Sequence, residues 1–279
     1  MIDRRLLLTA LAASPLAACV TGPDTVQAGS ALKLVTFNIW HDRGDWTARR
    51  PLLIEAIRAE NADVIALQEV LQDAATNLPN QAETVAAALG PDYRAVFSSV
   101  DADDAPRRFG NAILTRRPIV THDFVKLRPL EDYRTALRVR IDVEGRPVDI
   151  VTAHLAWQPD AGAVRTEQLA HMMDWIPEDG TPLVVMGDLN AQMTQPEIAD
   201  FRGERFVEAF SALHPDRALT TTMNLARYEG SAMHIDHIFV ETAHFTPLTA
   251  AIIGDAPTAN EWPSDHFGVA TRVRLKPRA

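Results

Sequence analysis

Acidic, imidazole and amide side chains recur in this chain at the points where apolar runs typical of buried strands stop or begin. In enzymes such side chains move protons and hold cations. Six clusters have this placement: Asn38, Glu69, His154, Asp188 with Asn190, Asp236, and Asp265 with His266. Polar groups at the ends of buried strands stabilise a fold poorly but can share a site, so we expect these clusters to line one cleft.

Each cluster alone also has a structural explanation. Asn38 or Asn190 could satisfy a turn, and Asp188 could cap a following helix. His154, on an inward strand face, could be a hydrogen-bonded core histidine. A single shared cleft accounts for all six placements with one assumption.

An alternation of strands and helices must position these clusters. The hydrophobic pattern predicts strands at 32–39, 62–69, 93–98 and 182–187, and helices at about 48–60, 77–89 and 164–176. It also predicts a hairpin from 137–143 and 148–155, and closing strands near 234–240, 244–253 and 267–274. No linker or repeat interrupts this span, so we expect one domain over residues 32–276.

Six short motifs follow one another along the chain: TFNIW, ALQEV, TAHL, GDLN, IDH and SDH. As an ordered set they resemble the signature of the endonuclease/exonuclease/phosphatase superfamily, which includes pancreatic-type deoxyribonuclease, apurinic endonucleases, neutral sphingomyelinases and inositol polyphosphate 5-phosphatases. The resemblance runs from about residue 32 to residue 275. It implies an α+β fold, a four-layer α/β/β/α sandwich of two packed mixed β-sheets with helices on both outer sides.

The resemblance implies hydrolysis of a phosphate ester by water, with Mg²⁺ as the cofactor and Mn²⁺ as a possible substitute. It implies that Glu69 is the principal metal ligand and that Asn38 and Asp265 complete the metal surroundings. It also implies that Asp188 positions or deprotonates the attacking water, and that Asn190 holds a phosphoryl oxygen.

Two histidines complete the catalytic set that the resemblance implies. His266 pairs with Asp236, a carboxylate that orients the imidazole, and contacts the phosphate or acts as acid and base. His154 is the second imidazole across the scissile group. For substrate binding, Arg134 sits where relatives often place a substrate-contacting arginine, although a surface role is nearly as good an explanation; Asn111, in FGNAIL, has a weaker predicted role.

Three tryptophans are close in sequence to the predicted site residues: Trp40, Trp157 and Trp262. On loops near strand ends their rings could form a rim that stacks a base, a sugar or an amphiphilic head group. They could equally pack beneath those loops.

The charge balance bears on the substrate. The 279 residues contain 27 basic and 37 acidic side chains, a net charge of −10, which disfavours tight binding to duplex DNA through its backbone. We therefore expect a monomeric phosphodiesterase or phosphatase acting on small or lipid-borne phosphates, sphingomyelinase-like in type. A secreted or lipid-anchored nuclease is the alternative. A non-catalytic binding module or a structural lipoprotein would have no use for all six clusters.

The amino-terminal segment has the pattern of a bacterial lipoprotein signal. Residues 1–18 contain a basic pair, an apolar run and the small residues that precede Cys19, the only cysteine of the chain. The irregular stretch 19–31 is predicted to be a flexible tether. We expect a lipid-modified Cys19 that anchors the protein to the cell envelope on the periplasmic side. Val20 rather than an aspartate follows it, which favours the outer membrane; Sec and twin-arginine export both remain open.

Replacing the predicted lipidation site tests this anchor. Cys19→Ser removes the thiol that would carry the lipid, so the protein should move from the membrane fraction to precursor or soluble forms. Fractionation with mass spectrometry of the amino terminus measures this. Recovery of the unaltered protein without detergent, as a soluble monomer that starts at another residue, would contradict it.

Overall fold

A computed structural model describes residues 30–217 and 220–278. The predicted signal peptide, Cys19 and all but the last two residues of the predicted tether lie outside the described residues. No helix among the described residues has the length and apolar character needed to cross a bilayer.

Twelve strands are present in the described residues. In chain order they are β1 (Ala31–Asn38), β2 (Val64–Asp73), β3 (Arg94–Ser99), β4 (Arg107–Thr115), β5 (Ile119–Lys126), β6 (Thr135–Val143), β7 (Arg146–His154), β8 (Leu183–Asp188), β9 (Phe206–Glu208), β10 (Asp236–Glu241), β11 (Phe245–Ile253) and β12 (Gly268–Leu275). They form two sheets of six strands, with the orders β11-β12-β1-β2-β4-β3 and β5-β6-β7-β8-β10-β9.

Among the described residues, four helices cover the outer faces of the two sheets, and a fifth, short helix contributes to the core between them. Those in the described residues are α1 (Trp46–Glu60), α2 (Gln81–Leu89), α3 (Gly162–Trp175), α4 (Pro196–Arg202) and α5 (Ala209–Leu213), with a 3-10 turn at Ala74–Thr76. One apolar core, containing Leu34 and Ile150, lies between the sheets. Two outer cores bury Ile57 of α1 against the first sheet and Met172 of α3 against the second. The predicted four-layer sandwich is thereby confirmed.

Each sheet has one parallel strand pair among its described residues, β1 with β2 and β7 with β8. Parallel neighbours need a crossover connection, and α1 and α3 supply it. The carboxyl ends of the two pairs carry Asn38, His154 and Asp188. The two crossover units therefore bring the predicted clusters to one edge of the sandwich.

The structure corrects several predicted element boundaries. The strand predicted at 62–69 continues to Asp73, because a bulge at Gln68 and Glu69 lets pairing with β4 resume. The helix predicted at 77–89 begins only at Gln81, where the Asn80 side chain accepts two backbone N–H groups. Strands β4 and β5 were not predicted: β4 starts with two arginines, and β5 is an exposed edge strand with no apolar run.

Gly187 permits the close approach of β7 and β8 directly before Asp188. Its φ is +149°, and a Cβ atom there would lie 2.1 Å from the backbone oxygen of Ala153. No side chain fits at that distance without moving backbone. The glycine of the GDLN motif is thus required by packing next to the site.

Gly187→Ala should lower the free energy of unfolding by at least about 3 kcal/mol, since backbone must shift to relieve the contact. The matched control is Gly180→Ala, where φ is +77° and no atom lies within 4 Å of the added Cβ. That change should cost only about 1 kcal/mol, from the left-handed backbone alone. Urea unfolding measures both, and equal losses would contradict the role given to Gly187.

Candidate active site

The carboxylate of Asp188 lies at the centre of the predicted clusters and is 1% exposed. The side-chain amide of Asn38 donates to Asp188 Oδ2 at 2.9 Å. His154 Nε2 lies 3.4 Å and His266 Nε2 lies 3.8 Å from the same oxygen. The backbone N–H of Asn190 donates to the other oxygen, Oδ1, at 3.0 Å. One buried carboxylate thus organises residues from both sheets.

Strand register explains the meeting of these groups in the second sheet. His154 pairs with Asp188 across the parallel strands β7 and β8, and Asp236 pairs with Asp188 across the antiparallel strands β8 and β10. The segment before β12, in the first sheet, supplies Asp265 and His266. The site therefore spans the seam between the two sheets.

The predicted pair of His266 and Asp236 is present. His266 Nδ1 donates to Asp236 Oδ2 at 2.9 Å, and both side chains are buried. Together with Asp188 they place three potential ligand atoms within 4.8 Å of one another. Asp236 at Nδ1 and Asp188 near Nε2 flank the imidazole of His266, and two negative neighbours favour its protonated form.

The two histidines have opposite protonation properties. Burial and the nearby Arg134 lower the pKa of His154 to about 3, so His154 is neutral at pH 7. Burial alone would lower the pKa of His266, but Asp236 and Asp188 outweigh it and raise this pKa well above the ordinary value. The site thus contains one neutral imidazole and one imidazolium.

The charge of Asp188 is stabilised by its neighbours. Burial opposes that charge, but His154, His266 and the Asn38 amide outweigh it and lower the pKa of Asp188. Asp188 is therefore ionised at neutral pH and can accept a hydrogen bond from a bound molecule.

The carboxylates of Glu69 and Asp265 face the same cleft from the first sheet. Glu69 lies at the β2 bulge with φ +59°, a left-handed conformation that re-aims its side chain. Burial and the nearby Asp265 raise the pKa of Glu69, and burial raises the pKa of Asp265. Within residues 30–217 and 220–278, no lysine or arginine forms an ion pair with either carboxylate. Two carboxylates whose negative charge is not compensated by lysine or arginine are suitable oxygen ligands for a hard divalent cation.

Asn38, a predicted metal ligand, makes three hydrogen bonds with its side-chain amide. Its Oδ1 accepts the backbone N–H of Trp40 at 3.0 Å, and its Nδ2 donates to Glu69 at 3.3 Å and to Asp188 at 2.9 Å. This bond uses one of the two lone pairs of Oδ1, and the role of Asn38 as a metal ligand stays a prediction. Asn38 therefore links the proposed metal carboxylate to the central carboxylate.

The cleft around these groups has a volume of about 1180 Å³. Of the residues predicted to bind substrate, Arg134, Trp40 and Trp157 line it. The predicted catalytic residue Asn190 also lines it, and its side-chain amide donates to the backbone oxygen of Leu155 at 3.1 Å.

Two residues predicted to bind substrate lie elsewhere. Asn111 is buried on β4, where its amide donates to the backbone oxygen of Thr135 at 3.0 Å and so joins the two sheets. Trp262 packs on Phe267, with ring centroids 5.8 Å apart, and does not line the cleft. Neither side chain is among those that line the cleft, and the substrate-binding roles of both residues stay predictions.

Two aromatic residues of the rim, Phe109 and Tyr133, were not predicted. His41 was also missed: its Nε2 lies 3.9 Å from Glu69 Oε2, and its Nδ1 lies 2.6 Å from Asp42. His41 directly follows the TFNIW motif, and this position is the sequence signal that could have identified it.

A buried arginine that was not predicted holds the loop after β1. Arg49 is 1% exposed, and its guanidinium donates to backbone oxygens of residues 39, 40, 41, 43 and 263. All five N–H donors of the side chain are thereby used. Arg49 therefore fixes the loop with Trp40 and His41 against the segment that leads to Asp265.

Comparisons with known proteins identify the family. The sequence pattern of the Endonuclease/Exonuclease/phosphatase family matches residues 35–266. Nocturnin of Drosophila melanogaster is 24% identical over 274 residues, which cover 83% of this chain and 42% of Nocturnin, so the chain spans less than half of that relative. YbhP of Escherichia coli (strain K12) is 30% identical over 273 residues, which cover 91% of this chain and 100% of YbhP.

Solved structures share the fold. The human Nocturnin catalytic domain with bound sulfate has a TM-score of 0.70 at 19% identity, covering 88% of this chain and 94% of that one. TDP2 of D. rerio, solved with a single-strand DNA product, has a TM-score of 0.72 at 20% identity, covering 88% and 100%. A mannosyl-6-phosphatase of Bacteroides thetaiotaomicron has a TM-score of 0.69 at 18% identity, covering 88% and 100%. Because the family pattern extends over most of the chain, this protein belongs to the endonuclease/exonuclease/phosphatase family of phosphoesterases.

Proposed function

We propose that this protein is a metal-dependent phosphodiesterase or phosphatase that acts on small or lipid-borne phosphates outside the cytoplasm, in the manner of a sphingomyelinase. One observation carries the hydrolytic part of the proposal. An ionised, buried Asp188 lies between a neutral His154 and a protonated His266, and two carboxylates that pair with no lysine or arginine among the described residues face the same cleft.

Glu69 and Asp265 are the residues that would hold the divalent ion, Mg²⁺ or Mn²⁺. When bound, that ion neutralises charge on the phosphoryl oxygens. Asp188 accepts a hydrogen bond from the attacking water and orients it toward phosphorus. His154, neutral at pH 7, donates a hydrogen bond to a phosphoryl oxygen. His266 keeps a proton on Nε2 that compensates negative charge as the leaving oxygen departs.

The rim of the cleft supports an amphiphilic substrate. Trp157 is 63% exposed, Tyr133 44% and Tyr228 36%, and all three line the cleft. Leu225 and Leu130, 49% and 54% exposed, are close in sequence to two of these rings. Exposed aromatic and aliphatic side chains around a polar site are typical of contact with a lipid surface. A lipid on Cys19, facing the periplasm from the outer membrane, would keep the cleft near such a surface.

A nuclease is the second candidate. The exposed rings could stack on unpaired bases, and D. rerio TDP2, which shares the fold, was solved with a single-strand DNA product. The net charge of −10 argues against efficient binding to polyphosphate, and salt should weaken any such activity steeply.

A substrate panel tests the proposal. The full chain is assayed on sphingomyelin and phosphatidylcholine vesicles, bis(p-nitrophenyl) phosphate, p-nitrophenyl phosphate and plasmid DNA, each with Mg²⁺, Mn²⁺ or EDTA. We expect activity on the esters, loss in EDTA, and little DNA cleavage at physiological salt. DNA cleavage as efficient as that of the best small ester would favour the nuclease.

The rim is tested with a matched pair of aromatic variants. Trp157→Ala should lower kcat/KM on vesicles at least about tenfold, because a large exposed ring carries much of the contact area. On bis(p-nitrophenyl) phosphate its effect should be under about threefold. Phe124→Ala, 49% exposed on edge strand β5 and outside the cleft, should change neither rate. Equal losses on both substrates for Trp157→Ala would contradict a lipid-facing rim.

The pair of Asp236 and His266 should act as a unit. Asp236→Asn and His266→Ala should each lower kcat/KM by about 10² to 10⁴, the usual scale for a positioned acid or base. The double variant should lose little more, because the carboxylate has nothing to orient without the imidazole.

Asp236→Asn should also move the alkaline limb of the pH profile to lower pH, since a lost negative charge lowers the pKa of His266. Circular dichroism confirms folding of each variant. If the losses in kcat/KM of the two single variants multiply in the double variant, or if the alkaline limb does not move, the proposed pairing of Asp236 and His266 is contradicted.

A further inference from the structure

A second cluster of metal-binding side chain types lies in the second sheet, apart from the catalytic groups. Glu208 ends β9, His237 is the second residue of β10, and His234 precedes that strand. One ligand atom from each lies within 4.8 Å of the other two. Because side chains alternate along a strand, His237 points to the face of β10 opposite that of Asp236.

The tautomer of His237 is determined by its backbone contact. His237 Nε2 lies 2.9 Å from the backbone oxygen of Ala191, and a carbonyl can only accept, so Nε2 is the donor. In the neutral ring the lone pair is then on Nδ1. This side chain is fully buried, and Nδ1 has no hydrogen-bond partner among the residues that the structure describes. A ring N–H bonded to a backbone carbonyl is the usual support of a metal-ligating histidine.

His234 and Glu208 complete the cluster. His234 Nε2 is also buried without a partner in the described part of the chain, and the His234 and His237 rings stack with centroids 5.1 Å apart at 10°. The carboxylate of Glu208 is 1% exposed and accepts the backbone N–H groups of Phe210 and Ser211 at the start of α5. A carboxylate has about four acceptor positions, so oxygen lone pairs remain for a cation.

Two buried imidazole nitrogens without partners are costly unless something binds them. We propose that Glu208, His234 and His237 form a structural site for a divalent transition metal of the Zn²⁺ class, with the fourth position taken by water. Imidazole ligands favour Zn²⁺ over Mg²⁺, which distinguishes this site from the pair of carboxylates in the cleft. The metal would join the β9–α5 junction to the start of β10, where Asp236 begins the strand.

Zinc binding by the full chain tests the proposal. Protein stripped with EDTA is dialysed against micromolar Zn²⁺ with millimolar Mg²⁺, and bound zinc is counted by atomic emission. We expect one zinc per chain, a rise in Tm of about 5 °C, and two imidazole ligands in the zinc X-ray absorption spectrum of the unaltered protein. That spectrum keeps the test valid if a variant fails to fold.

Three variants separate this site from its surroundings. His234→Ala should weaken zinc binding at least about a hundredfold and abolish the Tm rise. His214→Ala is the matched control, since this ring also packs on Phe210 but donates to Ala250 outside the cluster. Glu69→Gln alters only the cleft, and both of these variants should bind zinc like the unaltered protein. No bound zinc, zinc with only oxygen ligands, or unchanged binding by folded His234→Ala would overturn the proposal.

Discussion

The buried carboxylate of Asp188 is the group on which the rest of the site depends. A charge that is 1% exposed is costly unless its neighbours compensate for it. Asn38 and His266 reach it from the first sheet and its adjoining loop, and His154 reaches it from the neighbouring strand. This buried charge is therefore stable only when the two sheets are packed together, which couples the folding of the sandwich to assembly of the site.

The topology supplies that coupling through two similar units. In each sheet one parallel pair, joined by a crossover helix, delivers polar side chains to the same edge of the sandwich. Two local features then position the site side chains. The absence of a side chain at Gly187 lets β7 and β8 approach, and the β2 bulge turns Glu69 into the cleft. Arg49 holds the adjoining loop through backbone oxygens.

Most of the site could be predicted because catalytic side chains at strand ends interrupt apolar runs and leave a local signal. That reasoning found Asp188, Asp236 and His266, while the pairing of His266 with Asp236 came from the family resemblance. It did not find Arg49, because this side chain binds backbone oxygens, which every residue type has and which leave no sequence pattern. It also did not find β5, because an exposed edge strand has no apolar run. It left the side-chain direction of Asn111 open, since this direction in a pleated strand depends on register, which the sequence alone does not determine.

Asp188 lies between two histidines of unequal protonation. The most direct test is ¹⁵N NMR of the imidazole nitrogens of metal-free, ¹⁵N-labelled protein across pH, with His154 and His266 assigned from single substitutions. We expect both ring nitrogens of His266 to carry protons at pH 7, and His154 to stay neutral down to acid pH, with a pKa of about 3. A neutral His266 at pH 7, or a His154 that titrates near pH 6.5, the ordinary histidine value, would contradict it.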